Sequence, residues 1–227
     1  INVTKADTGK TIKYYQTPGK FPTGCTFDNK NIWIADRKED KLFAINLNSG
    51  KTEKSIESPA YWPMGLAWDG KFLWNIDIKG GIPLSENYNA KVYRIDPKDG
   101  TIIQTINAPA KNAEGLTYDG QYLWCTDSKN DLLIQFDPQD GTTIKSFKSP
   151  SVDPRGLTYD GKYLWVSDRI KDQIYMIDPV SGCVINTFDS PGKFSRGLCF
   201  DGSDLWNVDY QDKKIYQIKR KGNDQFM

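Results

Sequence analysis

Any chemistry this chain performs is done without an imidazole, because none of its 227 residues is histidine. That removes Ser-His-Asp and Cys-His catalysis, histidine-bound zinc and any histidine base. Arginines and carboxylates remain. Only six arginines occur, and four of them, Arg37, Arg155, Arg169 and Arg196, fall at two positions of a repeating frame. Arginine presents a planar fork suited to carboxylate, phosphate or sulfate. Glu114 occupies one of the same positions and is the only Glu there, which makes it the candidate general acid or base. Five aspartates, Asp36, Asp77, Asp127, Asp168 and Asp209, recur in phase. Five carboxylates round one axis could gather an oxygen-seeking cation such as Ca²⁺.

The frame that positions these residues is a repeat. Gly24-Cys25-Thr26-Phe27-Asp28 returns as Gly65 to Asp69, Gly115 to Asp119, Gly156 to Asp160 and Gly197 to Asp201, at spacings of 41, 50, 41 and 41. Nine residues after each Gly stands a tryptophan (Trp33, Trp74, Trp124, Trp165, Trp206), and three further on the recurring Asp. A second phrase, Gly then Pro nine residues later, runs through Gly50/Pro59, Gly100/Pro109, Gly141/Pro150 and Gly182/Pro191, and once before the first copy at Gly9/Pro18.

Each unit reads as four strands. In the fourth unit they are Leu157 to Tyr159, Tyr163 to Ser167, Ile174 to Ile177 and Val184 to Phe188. Asp160-Gly161 supplies the positive φ of a tight hairpin, and Asp178 to Gly182 a longer turn. No stretch sustains a 3.6-residue period, and the 24 Asp against 5 Glu suit turns better than helices. Four strands in about 41 residues is the period of a propeller blade. The last unit lacks its fourth strand, and Lys10 to Gln16 supplies it. The expectation is therefore an all-β, five-bladed β-propeller with four antiparallel strands per blade. It forms one domain over residues 1–227, and its N-terminal strand covers the open edge of the last blade. Ile1 to Thr4 is read as a tail.

The string Gly-Leu-Thr-Tyr-Asp-Gly-x-Tyr-Leu-Trp, followed by Asp, Ile-Asp-Pro and Gly, resembles the broad propeller group of bacteria and archaea that includes streptogramin-lyase-like, NHL-like and surface-layer repeats. The resemblance covers nearly the whole chain and implies the fold. That group holds lyases, hydrolases and binding modules, and its lyase branch uses a catalytic histidine that this chain lacks. The blade count is shared with plant-type glutaminyl cyclases, without their motifs.

Residues present in every blade serve every blade. The Asp ring is accordingly read as accepting loop N–H groups in Asx-type turns, with no metal bound, and the Trp ring as core between blades. Positions that break the repeat carry more information about function. The residue before the first Gly of each unit is Thr23, Met64, Glu114, Arg155 or Arg196, and the residue after the recurring Asp is Arg37, Ile78, Ser128, Arg169 or Tyr210. Both positions belong to one face, at the channel mouth, and the arginines belong to blades 1, 4 and 5, which are neighbours once the ring closes. Apart from the recurring Asp, only Asp153 and Asp172 are acidic in the nearby loops, so the arginines are expected not to be fully neutralised. The insertion from Lys79 to Lys91 lengthens a loop of blade 2 on the same face, and Trp62, Tyr88 and Tyr210 are expected as aromatic neighbours for a sugar or planar ligand.

The four cysteines have no metal spacing. Cys25 and Cys199, on adjacent inner strands but one position out of step, are expected on opposite faces of their strands, as free and mostly buried thiols. The balance of 30 Lys and Arg against 29 Asp and Glu argues against capture of nucleic acid, and no run is long and apolar enough to span a membrane. The chain opens at Ile1 without a Met, as a mature secreted form or an excised domain would, and an extracytoplasmic location is favoured. The reading is a monomeric, cofactor-free binding propeller. Its mouth presents Arg37, Arg155, Arg169, Arg196, Tyr210, Trp62 and Glu114 to an anionic small molecule, a glycan or a protein loop. The rival is a lyase or cyclotransferase-like enzyme using Glu114 as general acid or base.

Overall fold

The computed structural model describes residues 8–79 and 89–220. Ile1 to Thr4 and most of the blade 2 insertion, Tyr88 included, lie outside them. All regular structure among the described residues is β. After β1 (Thr11–Gln16) come β2 (Pro22–Phe27), β3 (Asn31–Asp36), β4 (Lys41–Asn46) and β5 (Thr52–Glu57), which form blade 1. Blade 2 is β6 (Pro63–Trp68), β7 (Leu73–Lys79), β8 (Asn89–Ile95) and β9 (Ile102–Asn107), and blade 3 is β10 (Ala113–Tyr118), β11 (Leu123–Asp127), β12 (Leu132–Phe136) and β13 (Thr143–Lys148). Blade 4 is β14 (Pro154–Tyr159), β15 (Leu164–Asp168), β16 (Gln173–Ile177) and β17 (Val184–Asp189). Blade 5 takes β18 (Ser195–Phe200), β19 (Leu205–Asp209) and β20 (Lys214–Ile218), and is completed by β1, which pairs antiparallel with β20. The chain is a five-bladed β-propeller closed by its own N-terminal strand.

The ring is held together between blades. Each of five apolar clusters joins two neighbours, and the one that closes the circle packs Cys25, Ile32 and Ile34 of blade 1 against Cys199, Trp206 and Val208 of blade 5. Tyr15 of β1 stacks on Trp206 at 5.9 Å. The five tryptophans are all at most 2% exposed. Their indole nitrogens reveal what the recurring phrase is for. Each Trp Nε1 donates to the Asp five residues earlier (Asp28, Asp69, Asp119, Asp160 and Asp201) at 2.7 to 2.9 Å. The other carboxylate oxygen of the same Asp caps the turn, as Asp160 does by accepting from the Lys162 and Tyr163 N–H groups. One Asp therefore pins both a hairpin and the core tryptophan, which satisfies an indole N–H that would otherwise be buried without a partner.

The inner strands begin earlier than the sequence suggests, at Pro154 rather than Leu157, because each carries a bulge. Pro154 pairs with Asp168 and Leu157 with Val166, leaving one extra residue between them, and the same shift recurs in every blade. The bulge holds the recurring Gly and the residue before it. A bulge bends a strand and re-aims its side chains. Here it also brings inner strands into backbone contact: a Cβ on Gly156 would stand 2.1 Å from the Arg196 carbonyl, and one on Gly24 2.1 Å from that of Met64.

Cys25 and Cys199 do face opposite ways along their strands, and that is what brings them together. Blades stack side by side, so residues on opposite faces of adjacent inner strands meet in the interface between them. The Cys199 thiol is pushed up by burial and by its hydrogen bond with Cys25. All four cysteines are free, with Cys183 exposed and the rest buried.

Candidate functional site

The bulges deliver five different side chains to one end of the axial channel. Two of them serve the fold: Thr23 Oγ1 donates to the Pro63 carbonyl at 2.7 Å, and Met64 is buried. The other three, Glu114, Arg155 and Arg196, line the mouth. The opening that these residues form with the ring of glycines has room for about one water molecule. A ligand would sit on the mouth and not inside the propeller.

Arg155 is largely buried and gives one guanidinium nitrogen to Glu114 Oε1, while its Nε lies 2.7 Å from Asp153 Oδ1. Burial works against its charge, but Glu114 and Asp153 outweigh burial and hold the guanidinium above its ordinary pKa. Asp153 also reaches Arg169, with Oδ2 2.6 Å from Nε. Arg196 is more weakly served. Its Nη1 is 3.5 Å from Glu114 Oε2, and its buried Nε, which like that of Arg155 has no hydrogen bond of good geometry, lacks even a carboxylate nearby among the described residues. Burial pulls its pKa down to about 10; Glu114 opposes the fall, and the charges of Arg155, Arg37 and Arg169 add to it. Arg196 therefore stands within electrostatic reach of three other guanidiniums, from blades 1 and 4. Arg196 lies over the Tyr210 ring at 5.6 Å. Arg37 lies over Trp62 at 5.1 Å and Phe21 at 5.8 Å, and among the described residues it makes no ion pair. Phe21 and Tyr210 are themselves in contact at 5.1 Å, so an unbroken aromatic floor joins Arg37 to Arg196.

The arginine sector is thus more neutralised than the loop composition implied. Glu114 of blade 3 reaches Arg155 and Arg196 because the narrow axis brings separate blades within ion-pair reach, while Asp153 bridges Arg155 and Arg169 within blade 4. Two carboxylates stand among four guanidiniums, and the surplus of positive charge falls on the Arg37–Arg196 side. Trp62 and Tyr210 are not open platforms for a sugar; each lies beneath a guanidinium. Phe21 was missed, and its place in a Gly-Lys-Phe loop beside Arg37 could have suggested it.

The Asp ring does loop work. Asp168 accepts from the N–H groups of Val152, Ile170 and Lys171 at 2.8 to 3.0 Å, and Asp36 from Phe21, Lys38 and Glu39 at 2.7 to 2.9 Å. Asp209 holds Phe194 and Asp212, each at 2.7 Å. Asp77 accepts from Ala60, Trp62 and Ile78, yet burial still pushes it up to about 6. Among the described residues no group of three or more His, Cys, Asp or Glu side chains is placed to hold a metal ion.

No family model matches the chain, and no curated protein sequence matches it. Solved structures do. The glutaminyl cyclase of Myxococcus xanthus superposes with a TM-score of 0.77 at 14% identity, over 93% of this chain and 95% of that one. The virginiamycin B lyase of Staphylococcus aureus gives 0.52 at 21% identity over 92% and 70% of the two chains. The β-propeller domain of Cps50 (Swd1) from Myceliophteria thermophila gives 0.54 at 15% over 94% and 71%. The neighbours are glutaminyl cyclase and streptogramin B lyase propellers together with a propeller domain, and at these identities the likeness is one of fold. No helix among the described residues is long and apolar enough to cross a membrane.

Proposed function

We propose that this propeller is a binding module whose channel mouth takes an anionic group between Arg37 and Arg196. The observation that carries the reading is that these two guanidiniums share one aromatic floor while, among the described residues, one has no ion pair and the other a buried, unpartnered Nε. A buried donor without a partner costs free energy that an incoming acceptor recovers. The shallow mouth over a closed bore suits recognition better than enclosure of a substrate. Titration with citrate, sulfate and glutarate, followed by thermal shift, tests it: at least one should stabilise the protein. Arg37→Ala should remove about 1.5–3 kcal/mol of that binding for each charged hydrogen bond lost, and high salt should weaken it.

A second reading has Glu114 as general acid or base beside the bore, in a fold shared with a glutaminyl cyclase. Both of its oxygens are already engaged by Arg155 and Arg196, which argues for a positioning part. Glu114→Gln separates the two: an anion site should bind more tightly once the competing carboxylate is gone, whereas an acid–base residue would take a turnover with it.

A further inference from the structure

The mouth face also carries apolar side chains that the fold leaves uncovered. Ile170 is 64% exposed, Tyr61 61%, Val152 48% and Phe194 40%. All four stand on the loops of the mouth face, in blades 4, 5 and 2, so they flank the sector of blades 4, 5 and 1 that holds the arginines. Their backbones are fixed. Val152 and Ile170 donate N–H bonds to Asp168, and Phe194 to Asp209. The Asp ring therefore does more than close turns. It fixes the backbone beneath three of these four side chains, so little backbone ordering entropy remains to be lost on contact.

We infer that this face docks an acidic segment of another protein: a loop or chain end carrying a carboxylate flanked by large apolar residues. The inference rests on the reading of the mouth as an anion site. Charge complementarity places the partner's carboxylate over Arg37 and Arg196, and the rim supplies what a free anion cannot use. A small carboxylate fills the centre and leaves Ile170, Phe194, Val152 and Tyr61 in water. A protein segment covers both. Arginine and aromatic side chains are enriched in binding hot spots, and acidic motifs are commonly taken by clustered arginines.

The test uses the whole chain and an array of end-blocked heptapeptides with a central Glu and Leu, Ile, Phe or Tyr varied beside it. The same array with Gln at the centre and free glutarate serve as comparators. The best Glu peptide should bind at least about tenfold more tightly than its Gln counterpart and than glutarate. Ile170→Ser with Tyr61→Ser should weaken that peptide about tenfold or more and leave glutarate unchanged. Both substituted residues are exposed, so an unchanged melting curve controls for folding. If no peptide exceeds glutarate, or the double variant leaves the best peptide unaffected, docking is overturned and the anion site stands. If neither peptide nor glutarate binds, the anion reading falls and the docking inference with it.

Discussion

The two faces of the ring are built to opposite ends. On the face formed by the hairpins that follow the inner strands, every blade makes the same bond, from a Trp indole to the Asp five residues before it. At the mouth the position before each Gly is Thr, Met, Glu, Arg or Arg, and only the last three point their charge at the axis. The hairpin position obeys the five-fold repeat, and the position before each Gly breaks it. Stability needs the same solution in every blade because each interface is the same problem. A binding site needs a sector unlike the others, since a ligand smaller than the ring meets only part of it.

The comparison breaks most completely if the ring cannot close. Removing residues 1–16 takes β1 from β20, exposes the edge of blade 5 and uncovers Trp206. Loss of soluble, cooperatively unfolding protein is expected, and an unchanged melting curve would show that the last blade stands without it. Next comes the repeated bond: Trp124→Ala, in the core between blades 3 and 4, should cost about 3–5 kcal/mol in denaturant titration. Asp77→Asn sharpens the line between the faces through pH. The folded pKa of Asp77 is raised to about 6 from 3.8, so this carboxyl contributes stability below about pH 4 that is lost as pH rises through 6. Relative to Asp77→Asn, the native chain should lose about 2–3 kcal/mol over that window, and parallel stability curves for the two would contradict the assignment. The smallest effect is expected at the mouth. Arg37→Ala should alter stability by no more than about 0.5 kcal/mol, because Arg37 makes no ion pair among the described residues, while weakening the thermal shift given by anions.

Blade number, strand order, the closing strand and the burial of every recurring Trp were legible in the sequence, because each is a local pattern stated five times. A Gly, a Trp or an Asp at a constant interval needs no tertiary knowledge to be seen as structural. The sector holding the arginines was legible too, from blade adjacency in a closed ring. Three things were not. The Trp–Asp bond joins side chains across a hairpin, and the repeat shows only that both residues recur. The bulge that turns Glu114, Arg155 and Arg196 into the mouth adds one residue to a strand whose start has no sequence marker. The pairing of Glu114 with Arg155 spans 41 positions, and that of Cys25 with Cys199 spans the whole ring. Periodic packing is written along the chain because neighbouring residues enforce it. Which charges meet at the axis was decided only when five separate strands converged there, since ion-pair distance depends on the radius of the closed ring.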